Sequence, residues 1–438
     1  MNVNGMKVVV LGLGESGRAA AELLVEKGAD VVIRDSAMNE RVARLSEKLG
    51  EMGVRVEIQE TNFTSCRFDL GVLSPGIDPK RSLVSELRGL SIPIIGELEL
   101  ASRFCECPIV AITGTNGKST TTELVAAILK AGGKATVACG NIGQAFSDAV
   151  KSSCDLDVVT VEVSSFQLEA IEEFHPRIAV YLNFTPDHLD RYSTMEEYKA
   201  AKARIFMNQT ESDFAVISTL CDDPSIRAKK ITLNAYGEPA DYTFENGFLK
   251  AFGKEVLEQS KTNLAGPHNA ENQLAALAVG DIYQVPREKT IEALCAYHAL
   301  PHRCEAVREL HDVSYINNSK GTNIDALEKA LLAQTRPVVL IAGGKDKGVD
   351  FSGLKSLLAK KADHAVLIGE MQTTLSRVWG QTLPCHPAVD LEDAVQQAQR
   401  LAKPGSVVLL SPGCSSYDMF KNFEERGSLF RQMVNELV

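Results

Sequence analysis

Short apolar runs alternate with longer amphipathic stretches along nearly the whole chain. "KVVVL" leads through a glycine turn into "RAAAELLVEKG", and "DVVIRD" follows. "PIVAIT" leads into "ELVAAILKAGG", and "PVVLIAGG" repeats the pattern beyond residue 336. Strand-like runs that are apolar throughout, separated by helical periodicity, predict an α/β chain with largely parallel sheets. The strand-into-glycine-turn pattern restarts three times, near residues 7, 108 and 337, which predicts three domains. A short strand at 92–95 and a helix at 97–104 mark the first boundary. Pro301, after the helical "EKTIEALCAYHAL", marks the second. The expected domains are 1–97, 98–302 and 303–438.

With 438 residues, more than one core is required. Hydrophobic content of 45% and charged content of 24% fit a soluble globular chain, and the formal net charge of −11 comes without a basic block. That excludes a general nucleic-acid or anionic-membrane surface, so anionic ligands must be met by a few placed groups. No signal-peptide pattern and no apolar run near the roughly 18 residues of a membrane span is present. The ten cysteines are scattered, with only Cys105 and Cys107 close together. The expectation is a monomeric cytoplasmic protein with reduced thiols and no structural metal on that pair.

Chemistry concentrates where strands end. Gly12, Gly14 and Gly17 form G-x-G-x-x-G between strand and helix, with Asp35 ending the next strand. This spacing suits a diphosphate at a helix N-terminus with an acid reading a ribose, whether of NAD or of another nucleotide. "TGTNGKST" is a shortened phosphate loop. Five positions before Gly117 stands Ile112, and Gly114 comes two residues late for the usual spacing. Lys118 can still reach terminal phosphates, and Ser119 can offer a hydroxyl to Mg²⁺. Glu162 at the end of "LDVVTVE" and His188 after "AVYLNFTPD" complete a candidate Mg²⁺–ATP shell with Ser119. In "TMEEYKAAKARIF", acids precede Lys199, Lys202 and Arg204, which by itself reads as a solvated helix face.

Taken together, "TGTNGKST", "VEVSSFQLE", "NFTPDHLDRY", "YKAAKARIF", "GPHNAENQLAALA" and "LPHRCE" resemble the Mur ligase family, in order and across the whole chain. "NNSKGTN" at 317–323 and "LLSPGCSSYDMFKNFEERG" at 409–427 resemble the members that add D-glutamate to UDP-N-acetylmuramoyl-L-alanine. The resemblance implies a Rossmann-like N-terminal domain holding UDP, a P-loop-like central domain holding ATP, and a Rossmann-like C-terminal domain receiving the amino acid. It implies ATP as co-substrate, two Mg²⁺ sites, a carbamylated Lys202 and an acyl-phosphate intermediate.

By the same resemblance, Lys118, Glu162, His188 and Lys202 are the catalytic residues, and Ser119, Glu162, His188 and Lys202 serve the metals. Gly114, Thr115, Asn116, Gly117, Thr120, Asn269, Asn272, Arg303 and Asn318 join Lys118 and Ser119 around ATP. Gly14, Glu15, Ser16, Asp35, Gly76, Asn141, Ser164 and Gln167 face the UDP-sugar-peptide, and Lys320, Thr322, Lys347, Ser416 and Phe423 face D-glutamate. Asn318 departs from the acid usual before "SK" in this family. Two rivals remain at this level: an NAD-dependent oxidoreductase, which leaves "TGTNGKST" without a job, and a nucleotide switch, which leaves the C-terminal domain without one.

Overall fold

A computed structural model of the protein describes residues 1–35, 40–58, 67–77, 82–188, 191–221, 223–298 and 301–438. Leu189 and Asp190 of "NFTPDHLDRY" and Leu300 of "LPHRCE" lie outside the described residues. The chain builds three sheets. The first holds β1 (Lys7–Leu11), β2 (Asp30–Asp35), β3 (Arg55–Ile58), β4 (Leu70–Leu73) and β5 (Ile94–Gly96), all parallel in the order β3-β2-β1-β4-β5. Strand order reverses at β1, so the glycine turn that follows β1 sits at a topological switch point, where open α/β sheets bind ligands.

The second sheet holds β6 (Ile109–Thr113), β7 (Thr136–Gly140), β8 (Val158–Glu162), β9 (Ile178–Tyr181), β10 (Phe214–Ser218), β11 (Lys229–Asn234), β12 (Tyr242–Glu245), β13 (Phe248–Ala251) and β14 (Lys254–Glu258). Its order is β14-β13-β12-β11-β10-β9-β6-β8-β7. Every residue of β6 is buried, which explains its unbroken apolar run. The last three strands are antiparallel, an edge the apolar pattern does not predict. Asn246 (φ 52°) and Gly247 (φ 83°) turn β12 into β13, a left-handed pair that an Asn-Gly dipeptide adopts readily.

β15 (Glu305–Leu310), β16 (Val313–Asn317), β17 (Val338–Gly343), β18 (Ala362–Ile368), β19 (Cys385–Pro387) and β20 (Val407–Leu410) form the third sheet, in the order β15-β16-β20-β17-β18-β19. The sheet therefore begins before the restart near 337, with the antiparallel pair β15–β16. Alternate residues of its central strands feed two cores. Leu340, Leu367 and Leu409 pack on one face, and Ile341, Val366 and Val408 on the other.

The chain forms two compact units. One comprises 1–183, 198–258 and 271–295 and contains the first two sheets. The other comprises 184–197, 259–270 and 296–438 and contains the third. Among the described residues no helix is long and apolar enough to cross a membrane.

Candidate active site

In the first unit, β6 sits between β8 and β9, so the segments that leave these three parallel strands emerge side by side. The shortened loop follows β6 and turns at Gly114 (φ 154°) and Gly117 (φ 82°) into the helix Lys118–Ala131. A Cβ on Gly117 would lie 2.1 Å from Asn272 Oδ1, so only glycine fits there. Lys118 folds back over the loop, its Nζ donating to the carbonyls of Gly114 (3.0 Å) and Thr115 (2.8 Å). Ser119 and Thr120 are buried in the first helical turn.

Asn183, two residues beyond the end of β9, holds the loop from the side. Its Oδ1 accepts from Asn116 N (2.9 Å), and its Nδ2 donates to Asn116 O (3.2 Å) and Glu271 Oε2 (2.8 Å). Sequence reasoning passed over Asn183, although an amide closing a fully apolar run was a legible signal. Asn272, expected around ATP, is buried and accepts from Thr121 Oγ1 at 3.2 Å, which braces the helix that the loop opens.

Glu162 ends β8 with 2% exposure, and its Oε1 accepts from Asn141 Nδ2 at 2.9 Å. Asn141 N also donates to Glu162 O at 2.9 Å, so the "GNIG" stretch is tied to the glutamate through backbone and side chain. Lys202 is 2% exposed and donates to Gly114 O at 2.7 Å, with its Nζ 4.7 Å from the Tyr198 ring centroid. The solvated-face reading of its helix is therefore wrong for this residue. Tyr198, Ala201 and Lys202 turn inward, and Lys202 reaches the phosphate loop. Ser164 and Gln167 close a capping box on the short helix Ser165–Leu168, with Gln167 buried.

At the N-terminal glycine turn, Asp35 Oδ2 accepts from Leu13 N at 2.6 Å, so the expected ribose reader also braces the turn. Gly14 caps the helix Glu15–Glu26, placing Glu15 and Ser16 in its first turn, and a Cβ on Gly17 would lie 1.9 Å from Gly12 O. Gly76 lies in the turn that follows β4.

His188 falls within the second unit, and Glu162 and Lys202 fall within the first. Its neighbour Asp187, 5% exposed, pairs with Lys347 Nζ at 3.1 Å and accepts from Asn323 Nδ2 at 2.9 Å. Burial pushes the Asp187 carboxyl up, but Lys347, His188 and Asn323 outweigh it and hold it below the ordinary carboxylate range. Asp187 and Asn323 stand inside quoted motifs, yet their role depends on a partner distant in sequence.

β17 and β20 are parallel neighbours, so "AGGKDKG" and "SPGCSS" leave the same sheet edge, joined by Lys345 N to Ser415 O (2.9 Å). Thr322 lies between Lys320 and the helix Ile324–Leu332, and Lys320 Nζ lies 5.0 Å from the Phe423 ring centroid. Ser416 is buried. Arg426, fully buried, ties these segments by donating to Ser319 Oγ (2.9 Å), Ser319 O (2.7 Å) and Cys414 O (3.3 Å). Burial lowers its guanidinium to about 10. Asn318 uses both ends of its amide inside the fold, donating to Ser411 Oγ (3.0 Å) and accepting from Cys304 N (3.2 Å). The amide at 318 thus has a partner for its donor and for its acceptor without carrying a charge. Asn269 donates to Ala265 O at 2.9 Å at the start of the helix Pro267–Ile282, and Arg303 sits half-buried in the turn before β15.

Among the described residues no group of three or more His, Cys, Asp or Glu side chains is set to hold a metal. Mg²⁺ does not need one, because it commonly takes one or two protein oxygens and completes its shell with phosphates and water. The Ser119 hydroxyl and the buried Glu162 carboxylate are hard oxygen donors of that kind.

Comparison with known proteins agrees with this architecture segment by segment. Residues 6–96 match the Mur ligase MurD-like N-terminal domain, 112–280 the Mur ligase middle domain, and 302–414 the Mur ligase glutamate ligase domain. The UDP-N-acetylmuramoylalanine–D-glutamate ligase of Desulfatibacillum aliphaticivorans is 39% identical, with 100% of each chain covered. That of Geotalea uraniireducens is 41% identical over 100% of this chain and 99% of its own. Among solved structures, UDP-N-acetylmuramate-alanine ligase from Thermotoga maritima superposes with a TM-score of 0.63 at 19% identity, covering 98% of this chain and 99% of that one. A fold shared over the full length, together with relatives near 40% identity, establishes that the chain belongs to the Mur ligase family.

Proposed function

We propose that this chain is an ATP-dependent ligase that joins D-glutamate to UDP-N-acetylmuramoyl-L-alanine, acting as a cytoplasmic monomer in peptidoglycan precursor synthesis. The observation that carries the reading is the shortened phosphate loop, with Lys118 and Ser119 opening a helix and buried Glu162 ending the adjacent strand. The names of the full-length relatives supply the substrates. The domain division that goes with it is 1–97 for UDP, 98–302 for ATP and 303–438 for the amino acid.

A carboxylate is a poor electrophile, so the terminal carboxylate of the L-alanine must first take a phosphoryl group from ATP. The D-glutamate amine then attacks the acyl carbon, the C–O bond to phosphate breaks, and amide, ADP and phosphate result. Lys118 and the helix N-terminus compensate phosphate charge, and backbone amides of the glycine loop orient it. Mg²⁺ bound by Ser119 and Glu162 would draw further charge from the transferring group. His188 would likewise serve the metals, and a carbamylated Lys202 would help to hold a second one. The glycine turn at Gly14–Ser16, with Asp35 and Gly76, receives UDP. Asn141, Ser164 and Gln167 would line the sugar-peptide channel; by the family pattern Asn269 and Asn272 would each face adenine, and Arg303 and Asn318 would each approach ATP.

The test is phosphate release with ATP and UDP-N-acetylmuramoyl-L-alanine, with and without D-glutamate. Steady release should require all three. Release indifferent to the amino acid, or none with all three, would reject the reading.

Lys347 is assigned to a D-glutamate carboxylate, with the hydroxyls of Thr322 and Ser416 giving direction and Lys320 and Phe423 alongside. Losing a charged partner in a closed site costs about 2–5 kcal/mol, so Lys347→Ala should raise the KM for D-glutamate by about 30-fold or more. The KM values for ATP and the UDP substrate should change little. An unchanged D-glutamate KM would show that Lys347 serves only its pair with Asp187.

A further inference from the structure

The helix Glu15–Glu26, which begins at the glycine turn, packs against the helix Phe146–Ala149, which follows "GNIG". Ion pairs join them. Arg18 reaches Glu15 at 3.1 Å and Glu22 at 2.9 Å on its own helix, and Asp148 at 2.5 Å on the other. Lys151, in the 3-10 segment Val150–Asp155 that continues the second helix, crosses in the opposite direction, to Glu22 and Glu26, each at 3.1 Å. The Arg18, Glu22 and Asp148 side chains are only 15%, 9% and 20% exposed, so salt screens them less than it would a surface pair. Burial pushes the Glu22 carboxyl up, yet Arg18 and Lys151 hold it below its ordinary value. On its other side the second helix is pinned by Glu97, whose Oε1 accepts from Ser147 N at 2.8 Å.

The two clasped helices thus connect two places that are distant in sequence. One is the glycine turn, and the other is the stretch where Asn141 grips Glu162. We propose that Arg18 and Lys151 fix the separation of these two places, so that Arg18 is a positioning residue for one extended UDP-sugar-peptide substrate that must bridge them. This rests on the reading of the glycine turn as the UDP site. The physical reason is that a ligand held at both ends binds best when the two half-sites are already at its own span. UDP alone touches one end only, so it is indifferent to the span.

The test compares Arg18→Gln, Arg18→Lys and Lys151→Met with the unaltered protein. Affinity for UDP alone is read by calorimetry, and KM for UDP-N-acetylmuramoyl-L-alanine and ATP by phosphate release. R18Q should raise the KM for the full substrate about ten-fold, the scale of coupling between residues in contact. Its UDP affinity, its KM for ATP and its kcat at saturation should stay near those of the unaltered protein. K151M should move the same quantity in the same direction, and R18K should restore most of the loss. Should R18Q fail to fold, the comparison of K151M and R18K carries the same expectations. An unchanged KM for the full substrate, or UDP affinity falling by the same factor as the full substrate, would overturn the clasp alone. An unaltered protein that turns over the full substrate but binds no UDP would overturn the UDP reading and the clasp with it.

Discussion

Lys118→Ala is expected to lower kcat by about 10²–10³-fold or more, the scale on which one preorganised donor to a developing charge acts. The structure gives this lysine a narrow role. Its Nζ rests on two carbonyls of its own loop, Gly114 and Thr115, so it is poised at the mouth of the helix that would receive the phosphates. Removing it leaves transferred phosphate charge without a cation on the loop. Stability should suffer far less. The lost hydrogen bonds contribute about 1 kcal/mol each, and Gly114 O keeps its second donor, Lys202 Nζ at 2.7 Å. A melting temperature within a few degrees of the unaltered protein, combined with lost turnover, is the expected pair of results. Near-normal turnover by a folded variant would remove Lys118 from the phosphate site.

Lys202→Ala should be nearly inactive, and here the alternative explanation is structural. The side chain is buried between Gly114 O and the Tyr198 ring, so truncation also leaves a void beside the loop and costs roughly 1–3 kcal/mol of stability. A carbamate makes a distinct claim, that an anion is required at this position. Carbon dioxide adds to the neutral amine and the product is a carboxylate, able to bind a metal that an ammonium would repel. Acetate or formate should therefore restore part of the activity of Lys202→Ala, while acetamide, of similar size and uncharged, should not. Equal rescue by both would mean that the variant lacks only volume. A fully active alanine variant would end the carbamate proposal altogether.

Both variants probe residues whose visibility in the sequence differed. Lys118 was legible because glycines, lysine and hydroxyl follow in register between an apolar run and a helical one, a local pattern with a local cause. Lys202 was not, since acids followed by bases on a short helix describe a solvated face equally well, and only the family resemblance singled it out. The Asn318 departure was legible as an oddity, but its partners Ser411 and Cys304 were not.

By itself the sequence determined what depends on neighbours along the chain. Unbroken apolar runs such as "IVAIT" and "VVLIAG" specified strands buried on both faces, and glycines at 114 and 117 specified a tight loop opening a helix. The Asn246-Gly247 turn was equally local, although the antiparallel edge it creates went unread. Only the tertiary structure decided which polar groups meet. Asn116 finds Asn183, Lys202 finds Gly114, Asp187 finds Lys347, Ser319 finds Arg426, and Arg18 finds Asp148, all across long stretches of sequence. Such pairs leave no periodic trace, because a buried polar atom needs one partner at hydrogen-bond distance and any segment of the chain can supply it. Apolar burial is additive and tolerant of which neighbour provides it, so it is written along the chain. Polar satisfaction is specific and directional, so it exists only once the strands have set their order.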